Sequence, residues 1–264
     1  MPAAAALLAA YDAQLRARIP DRLPPGEQAE QDGPVLRFTG HPAGGWVLYR
    51  DLAGLDGADL DELIARQVRV FAERGERFEW KLHGHDRPAD LPDRLRAAGL
   101  APEDQETVVI APVSVVAAPP SLPDGVSLRE VTERRDLERI ARMEEEVWRL
   151  EHSWLADMIE GERTADPDAI SVVVAEAGED VVCAAWIRFE SGTDFATLWG
   201  GATLPAWRGH GIYRATVAYR ANLAAARGFR YLEVDASDDS RPILERLGFV
   251  PVTTTTPFVW APPG

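Results

Sequence analysis

Apolar positions along the chain recur in two registers, one helical and one alternating, and the changes between them mark the elements. In "DLDELIARQVRVFAERG" (59–75), Leu60, Leu63, Ile64, Val68 and Phe71 fall on one helical face, and Gly75 supplies a stop. "FEWKLHG" (78–84) alternates and predicts a strand. "VLRFTG" (35–40) and "GWVLYRD" (45–51) predict two strands around the turn "HPAGG". The opening "MPAAAALLAAYDAQLRARI" predicts an amphipathic helix, with Asp12, Arg16 and Arg18 as its polar side. "DLPDRLRAAGL" (90–100) predicts a short helix and "ETVVIAPV" (106–113) another strand. Pro119, Pro120 and Pro123 in "AAPPSLPDG" (117–125) exclude a regular helix, so a domain boundary is placed near 118–124, dividing 1–118 from 119–264.

The second half opens with a strand, "VSLREV" (126–131). A helix over "ERRDLERIARMEEEVWRL" follows, with Leu137, Ile140, Met143 and Val147 on one face and Thr132 as its cap. "SWLADMIEGER" (153–163) predicts a second helix. Strands follow on both sides of Gly178 within 169–190, and again at "FATLWGGATL" (195–204). "IYRATVAYRANLAAARG" predicts a helix, "RYLEVDAS" a strand, "SRPILERLG" a short helix and "VPVTTTTPFVWA" a last strand. The halves echo each other. Residues 77–102 and 230–251 both read strand, polar turn, short helix with an Arg-Leu pair, glycine, large apolar residue, proline. A degenerate tandem duplication accounts for this; coincidence within a common α/β order is the alternative.

Composition narrows the partners. A length of 264 residues suits two domains, and 46% hydrophobic residues suffice for a core. The net charge of −15 weighs against nucleic acid and is compatible with an amine substrate. The single cysteine, Cys183, rules out an intrachain disulfide and suggests a cytoplasmic location. It sits in the apolar run "VVCAAWI", as a core residue would. The N-terminus lacks a basic leader and its apolar run is too short to span a membrane, so no membrane partner is expected. "HGHD" (83–86) has two histidines but no second ligand cluster, and no metal is expected.

The candidate chemistry lies in "GGATLPAWRGHGIYRATV". The strand ends at Leu204, Pro205 closes its ladder, and the loop 206–211 leads into a helix. Helix N-termini expose unpaired N–H groups, and Gly209 and Gly211 let a ligand approach the backbone closely. Such a loop suits a phosphate or pyrophosphate, with Arg208, His210 and Arg214 at the rim. Plain turn chemistry is the alternative. The Walker pattern is absent. A dinucleotide fingerprint would need a third glycine where Arg214 stands, with Glu233 or Asp235 as its acid; three successive meander-like strands argue against that fold.

"TLPAWRGHGIYRATVAYR" and "YLEVDASDDSRPILERLGF" resemble the GNAT superfamily of acyl-CoA-dependent N-acyltransferases. In the family's loop, Q/R-x-x-G-x-G/A, Arg208 and Gly211 fit, with Tyr213 at the last position. Shifted by two, Gly209 and Gly211 fit both small positions, with Ala206 where Gln or Arg is usual. The resemblance covers the second half well and the first as an echo. It implies an α/β (α+β) fold of two GNAT-like domains, each a mixed, mostly antiparallel sheet flanked by helices.

It also implies acetyl-CoA as co-substrate. Its pyrophosphate would lie on the amides of Arg208, Gly209, His210, Gly211, Ile212, Tyr213 and Arg214, and its pantetheine arm along Ala202, Thr203 and Leu204. Gly200 and Gly201 would permit the strand to part from its neighbour, or mark a bulge. The acceptor would be a small-molecule or protein amine. The family's usual acid, a tyrosine, is replaced by Leu244, leaving Ser240 as a possible hydroxyl. Asp235 and Glu190 are the candidates for base or amine anchor; Asp235 shares its strand face with Glu233. His152 and the tryptophans 148, 154, 186 and 199 are core or junction residues, with an acceptor pocket as the alternative. The first half lacks the glycine loop: Asp51, Asp56, Asp59 and Asp61 surround Gly54 and Gly57 and would repel a pyrophosphate. An acyl-CoA-binding sensor and a ligand-free interaction module are the other readings.

Overall fold

The computed structural model describes residues 3–263; Met1, Pro2 and Gly264 lie outside them. In the first half, α1 (Ala4–Gln14) precedes β1 (Gln28–Asp32), β2 (Val35–Thr39) and β3 (Gly45–Leu48). Then come α2 (Gly57–Arg74), β4 (Phe78–His83), α3 (Leu91–Ala97), β5 (Ala101–Pro102), β6 (Glu106–Pro112) and the single turn α4 (Val113–Val116). The second half runs β7 (Val126–Val131), α5 (Arg134–Trp148), α6 (Trp154–Ala165), β8 (Ile170–Ala177), β9 (Asp180–Phe189) and β10 (Phe195–Thr203). It closes with α7 (Ile212–Ala226), β11 (Tyr231–Ala236), α8 (Arg241–Arg246) and β12 (Val250–Trp260).

The apolar periodicity locates most of these elements. On α2, Leu60, Leu63, Ile64 and Phe71 are buried, and the helix ends at Gly75 in the left-handed region. β1 leaves no apolar alternation in the sequence, because "QAEQD" has no large apolar member; it is an edge strand held by its ladder to β2 and by Asp32, which accepts from Arg66 and Gln67 of α2. Thr132 does not cap α5. The N-cap is Glu133, with no side-chain hydrogen bond, and the Thr132 carbonyl instead accepts from Arg163 of α6.

The strands of both halves form one mixed, mostly antiparallel sheet of 12 strands, ordered β1-β2-β3-β4-β12-β6-β11-β10-β9-β8-β7, with β5 beside β12. The halves exchange their last strands. β6 pairs with β11 and β12, while β12 reaches back to pair with β4. Both parallel pairs, β3 with β4 and β10 with β11, are joined through a helix, α2 and α7 respectively.

Successive residues of β6 point to opposite faces. Val109 and Ala111 pack with α4, α7 and α8 around Val217, Ala221 and Leu244. Val108 and Ile110 pack under α1 with Leu7, Tyr11 and Phe195. On the same face as α1, α5 and α6 cover β8 and β9 through Ile140, Ile159, Val172 and Trp186. α2 and α3 close the first half over Val47, Phe78, Trp80 and Phe258. Helices thus cover both faces of one continuous sheet, and the gap between β10 and β11 opens near its middle.

Candidate active site

The parallel ladder between β10 and β11 is three residues long: Phe195, Ala196 and Thr197 pair with Tyr231, Leu232 and Glu233. Beyond it the strands part, although β10 continues to Thr203 and β11 to Ala236. The outer edges remain held, β10 by β9 and β11 by β6. One backbone edge of each strand therefore faces the gap, where an amide-bearing ligand can pair with it.

Gly200 and Gly201 do mark a bulge: the register against β9 shifts between Gly200 and Ala202. Both have positive φ, 66° and 86°, and side chains press on the space a Cβ would need. The Trp186 ring lies 2.5 Å from that position at Gly200, and the Tyr213 ring 2.6 Å away at Gly201. Tyr213 is thus packed inward, and burial raises the pKa of its hydroxyl. Arg220 of α7, 1% exposed, holds the bulge from beneath. Its Nη1 donates to the carbonyls of Trp186 and Trp199, both at 3.0 Å, and its Nε to Thr216.

After β10, one turn of 3-10 helix (Pro205–Trp207) leads to Arg208. Gly209 and Gly211 follow with φ of 80° and 81°, and Gly211 is the N-cap of α7 without a side-chain cap. A Cβ at either glycine would meet nothing within 4 Å, so the backbone there is open to a ligand. Among the described residues, no protein acceptor takes the N–H groups of Gly209, Gly211, Ile212, Tyr213 or Arg214. The Arg208 N–H turns inward to Pro205, and the His210 N–H closes a turn over Arg208 and Gly209. Four successive free donors, Gly211 to Arg214, at the start of a 15-residue helix, with Gly209 just before them, form an anion site. The guanidinium of Arg208 leans back, its Nε 3.2 Å from the Thr203 carbonyl. Leu204 spends its N–H on Val182, so of the three expected pantetheine contacts it has only its carbonyl to offer.

The face of the sheet beneath α1 carries the acids. Glu233 is 6% exposed and lies beside Thr197, where the strands begin to part. Burial, then Asp235, raise its pKa well above the usual carboxylate range, against the pull of Lys81. Asp235, two residues on, is ion-paired with Lys81 of β4, and its Oδ1 is buried without a partner. Glu190 accepts from Thr197 at 3.1 Å and from Arg18 at 2.8 Å. Asp235 and Glu190 are therefore brought to one face with Glu233.

Ser240 stands apart at the N-cap of α8, where its hydroxyl contacts Ser237. Leu244 is fully buried in the core. Cys183 is also fully buried, which pushes its thiol up to about 11 and leaves it unreactive. His83 and His85 bond to Tyr11 and to Thr253, and no group of three or more metal-ligating side chains occurs among the described residues. No described helix is long and apolar enough to cross a membrane.

Three participants escaped the sequence: Lys81, Tyr11 and Arg220. Lys81 carried a signal, being the only lysine among 28 basic residues. Its target, three strands away beyond β12 and β6, could be read only from the sheet.

Comparison with known proteins agrees with this geometry. Residues 133–249 match the acetyltransferase (GNAT) family model. A GCN5-related N-acetyltransferase from Kribbella flavida superposes with a TM-score of 0.67 at 16% identity, covering 99% of this chain and 95% of that one. A conserved protein of unknown function from Staphylococcus epidermidis gives 0.66 at 13% identity, covering 93% and 96%. A tandem GNAT protein from the clavulanic acid biosynthesis pathway gives 0.62 at 15% identity, covering 92% and 86%. At these identities the structural likeness concerns the fold. No curated protein matches the sequence. Residues 133–249, which hold the parted β10–β11 pair and the open amide loop before α7, are thus similar to the acetyltransferase (GNAT) family.

Proposed function

We propose that the chain is an acyl-CoA-dependent N-acyltransferase that moves an acetyl group from acetyl-CoA to a primary amine by direct attack in a ternary complex. The observation that carries this is the run of unclaimed N–H groups at Gly211–Arg214 beside a parted parallel strand pair. The loop fits a pyrophosphate, and the β10 edge at Ala202 and Thr203 fits the pantetheine arm. Acetyl-CoA supplies a thioester carbonyl open to attack. The amine nitrogen forms the new C–N bond, the C–S bond breaks, and the amine proton must go to a base.

Glu233 suits that role. Burial and Asp235 raise its pKa, which makes it a stronger base than an ordinary carboxylate, and it stands where the strands separate. Asp235 and Glu190 supply negative charge that draws a cationic amine to the same face. Ser240 is the hydroxyl available to the leaving sulfur. Proximity of the two bound substrates can contribute about 7–11 kcal/mol of the barrier lowering.

In this reading the segments 1–118 and 119–264 descend from one duplicated unit. The exchange of β6 and β12 and the paired short parallel ladders support it. The first half lost its anion loop to acids at Asp51, Asp56, Asp59 and Asp61, and its work is to complete the sheet. The acceptor is a small-molecule or protein amine, met in the cytoplasm. The buried Leu244, where the family's acid usually stands, favours a second reading: an acyl-CoA sensor that binds without turnover.

Calorimetric titration with acetyl-CoA, followed by thiol release over a panel of amines, separates the readings. Binding with amine-dependent thiol release is expected. Binding without release with any amine would favour the sensor, and no binding would leave only the interaction module.

A further inference from the structure

The charge that organises the acid pair on β11 comes from the other half of the chain. We infer that Lys81 is a positioning residue for the second half's site, holding Asp235 in place and thereby orienting Glu233 toward the gap between β10 and β11. The inference rests on the acyl-transfer reading for its purpose, but the Lys81–Asp235 ion pair stands on geometry alone.

Lys81 lies on β4, opposite Pro257 of β12; β12 and β6 separate β4 from β11. Its side chain spans that width over the sheet face and meets Asp235 Oδ2. Both side chains are largely withdrawn from solvent, 21% and 14% exposed. A buried pair of this kind survives only when each charge meets its partner. Here Asp235 Oδ1 accepts from nothing, so Lys81 is the one cation holding that carboxylate.

The neighbourhood gives Lys81 no rival. Glu79 and His83 from β4, Glu106 from β6, Glu190 after β9, and Tyr11 and Arg16 from α1 are the other titratable groups around the pair. Arg16 is spent on Asp86, and Arg18 on Glu190. His83 is kept neutral, since burial and then Arg16 drive its pKa far down. Burial works against the Lys81 ammonium too, yet Asp235 and the surrounding acids outweigh it and hold the ammonium charged.

Chain composition points the same way. The protein uses arginine wherever else it needs a fixed cation, and this position carries its only lysine. The second half's site is therefore incomplete without the first half.

The single lysine makes the test clean. Full-length protein labelled with 15N-lysine should give one side-chain ammonium signal, slow to exchange and shifting with pH as Glu233 ionises. Glu233→Gln should abolish that inflection. In parallel, the pH profile of acetyl transfer would be measured for wild type, Lys81→Met, Lys81→Arg and the double variant Lys81→Met/Asp235→Asn, with melting temperatures to confirm folding. Lys81→Met should displace the acid limb upward by on the order of one pH unit, about tenfold in rate on that limb. Lys81→Arg should recover part of the displacement. The double variant keeps the test decisive if Lys81→Met alone misfolds, because it leaves no unpaired buried carboxylate.

A lysine signal that exchanges freely and ignores Glu233→Gln would overturn the network. A Lys81→Met or double-variant profile superimposed on wild type would overturn the positioning role. A wild type that transfers to no amine, while its lysine signal still follows Glu233, would overturn the acyl-transfer reading and the positioning role with it, leaving only the ion pair.

Discussion

Replacing Gly211 by alanine or by aspartate separates two properties of the loop that otherwise travel together. Gly211 has φ of 81° and ψ of 1°, and a Cβ built on it touches nothing within 4 Å. No steric clash follows from either substitution, so the only folded-state cost is the left-handed backbone, about 1–2 kcal/mol. For a chain of this size that lowers the melting temperature by roughly 2–8 °C. Aspartate tolerates this region at least as well as alanine. The two variants should therefore melt within a few degrees of each other.

Their binding should differ sharply. Aspartate places a full negative charge among the free donors to which the pyrophosphate is assigned. Unit charges about 4 Å apart at a partly exposed site interact by about 4 kcal/mol. Discounting half of that for screening and side-chain rotation leaves about 2 kcal/mol, or roughly a 30-fold loss of affinity relative to Gly211→Ala. Isothermal titration with coenzyme A would measure both. In thermal melts, ligand at a hundred times its dissociation constant should add about 2.7 kcal/mol to wild type and much less to Gly211→Asp. Equal affinities for the two variants would refute the assignment of the loop to the pyrophosphate.

Two other outcomes concern the acids and the shared sheet. Burial, with Asp235 adding and Lys81 opposing, raises the Glu106 carboxyl from 4.5 to about 7. The folded state thus keeps a proton that the unfolded chain releases. Stability from this group is full below pH 4.5 and is lost as pH rises through about 7. Glu106→Gln should flatten the fall in melting temperature across that window, and an unchanged slope would show that Glu106 titrates normally. Phe71 is fully buried and stacked on Phe78, with ring centroids 4.3 Å apart. Phe71→Ala should cost about 3–5 kcal/mol. Because β6 and β12 are exchanged, calorimetry should show one transition that moves down as a whole; two separate transitions would mean that the halves unfold independently.

The elements were legible where one apolar periodicity dominated. α2, α5 and α7 show their buried faces in sequence, and β9 reads as an apolar run because it is covered on both sides. The two glycines of the loop announced a left-handed backbone that other residues adopt only at a cost. Strand exchange was invisible, because the side-chain pattern of β6 and β12 does not depend on which neighbour each strand takes. β1 was invisible because an exposed edge strand needs no apolar pattern. The acid face was half legible. Alternation places Glu233 and Asp235 together, but periodicity cannot tell a solvated acid face from one buried under α1. That distinction depends on Tyr11 and Lys81, which lie more than 150 residues earlier in the chain than Asp235.

The exchange of strands also explains how the gap between β10 and β11 can stay open. Two neighbouring strands with free edges tend to close on each other, since each unpaired backbone group buried without a partner is costly. They remain apart only if each is held firmly on its far side. β9 holds β10 through seven residue pairs. β6 holds β11 along its whole length, six pairs from Tyr231 to Ala236, against only three between β11 and β10. Removing β6 would leave β11 anchored by its short ladder to β10 alone, free to swing inward and seal the gap. The first half thus lends the site both a wall and a cation: β6 fixes the strand that bears Glu233 and Asp235, and Lys81, arriving from β4 across the same two exchanged strands, engages the carboxylate at its far end.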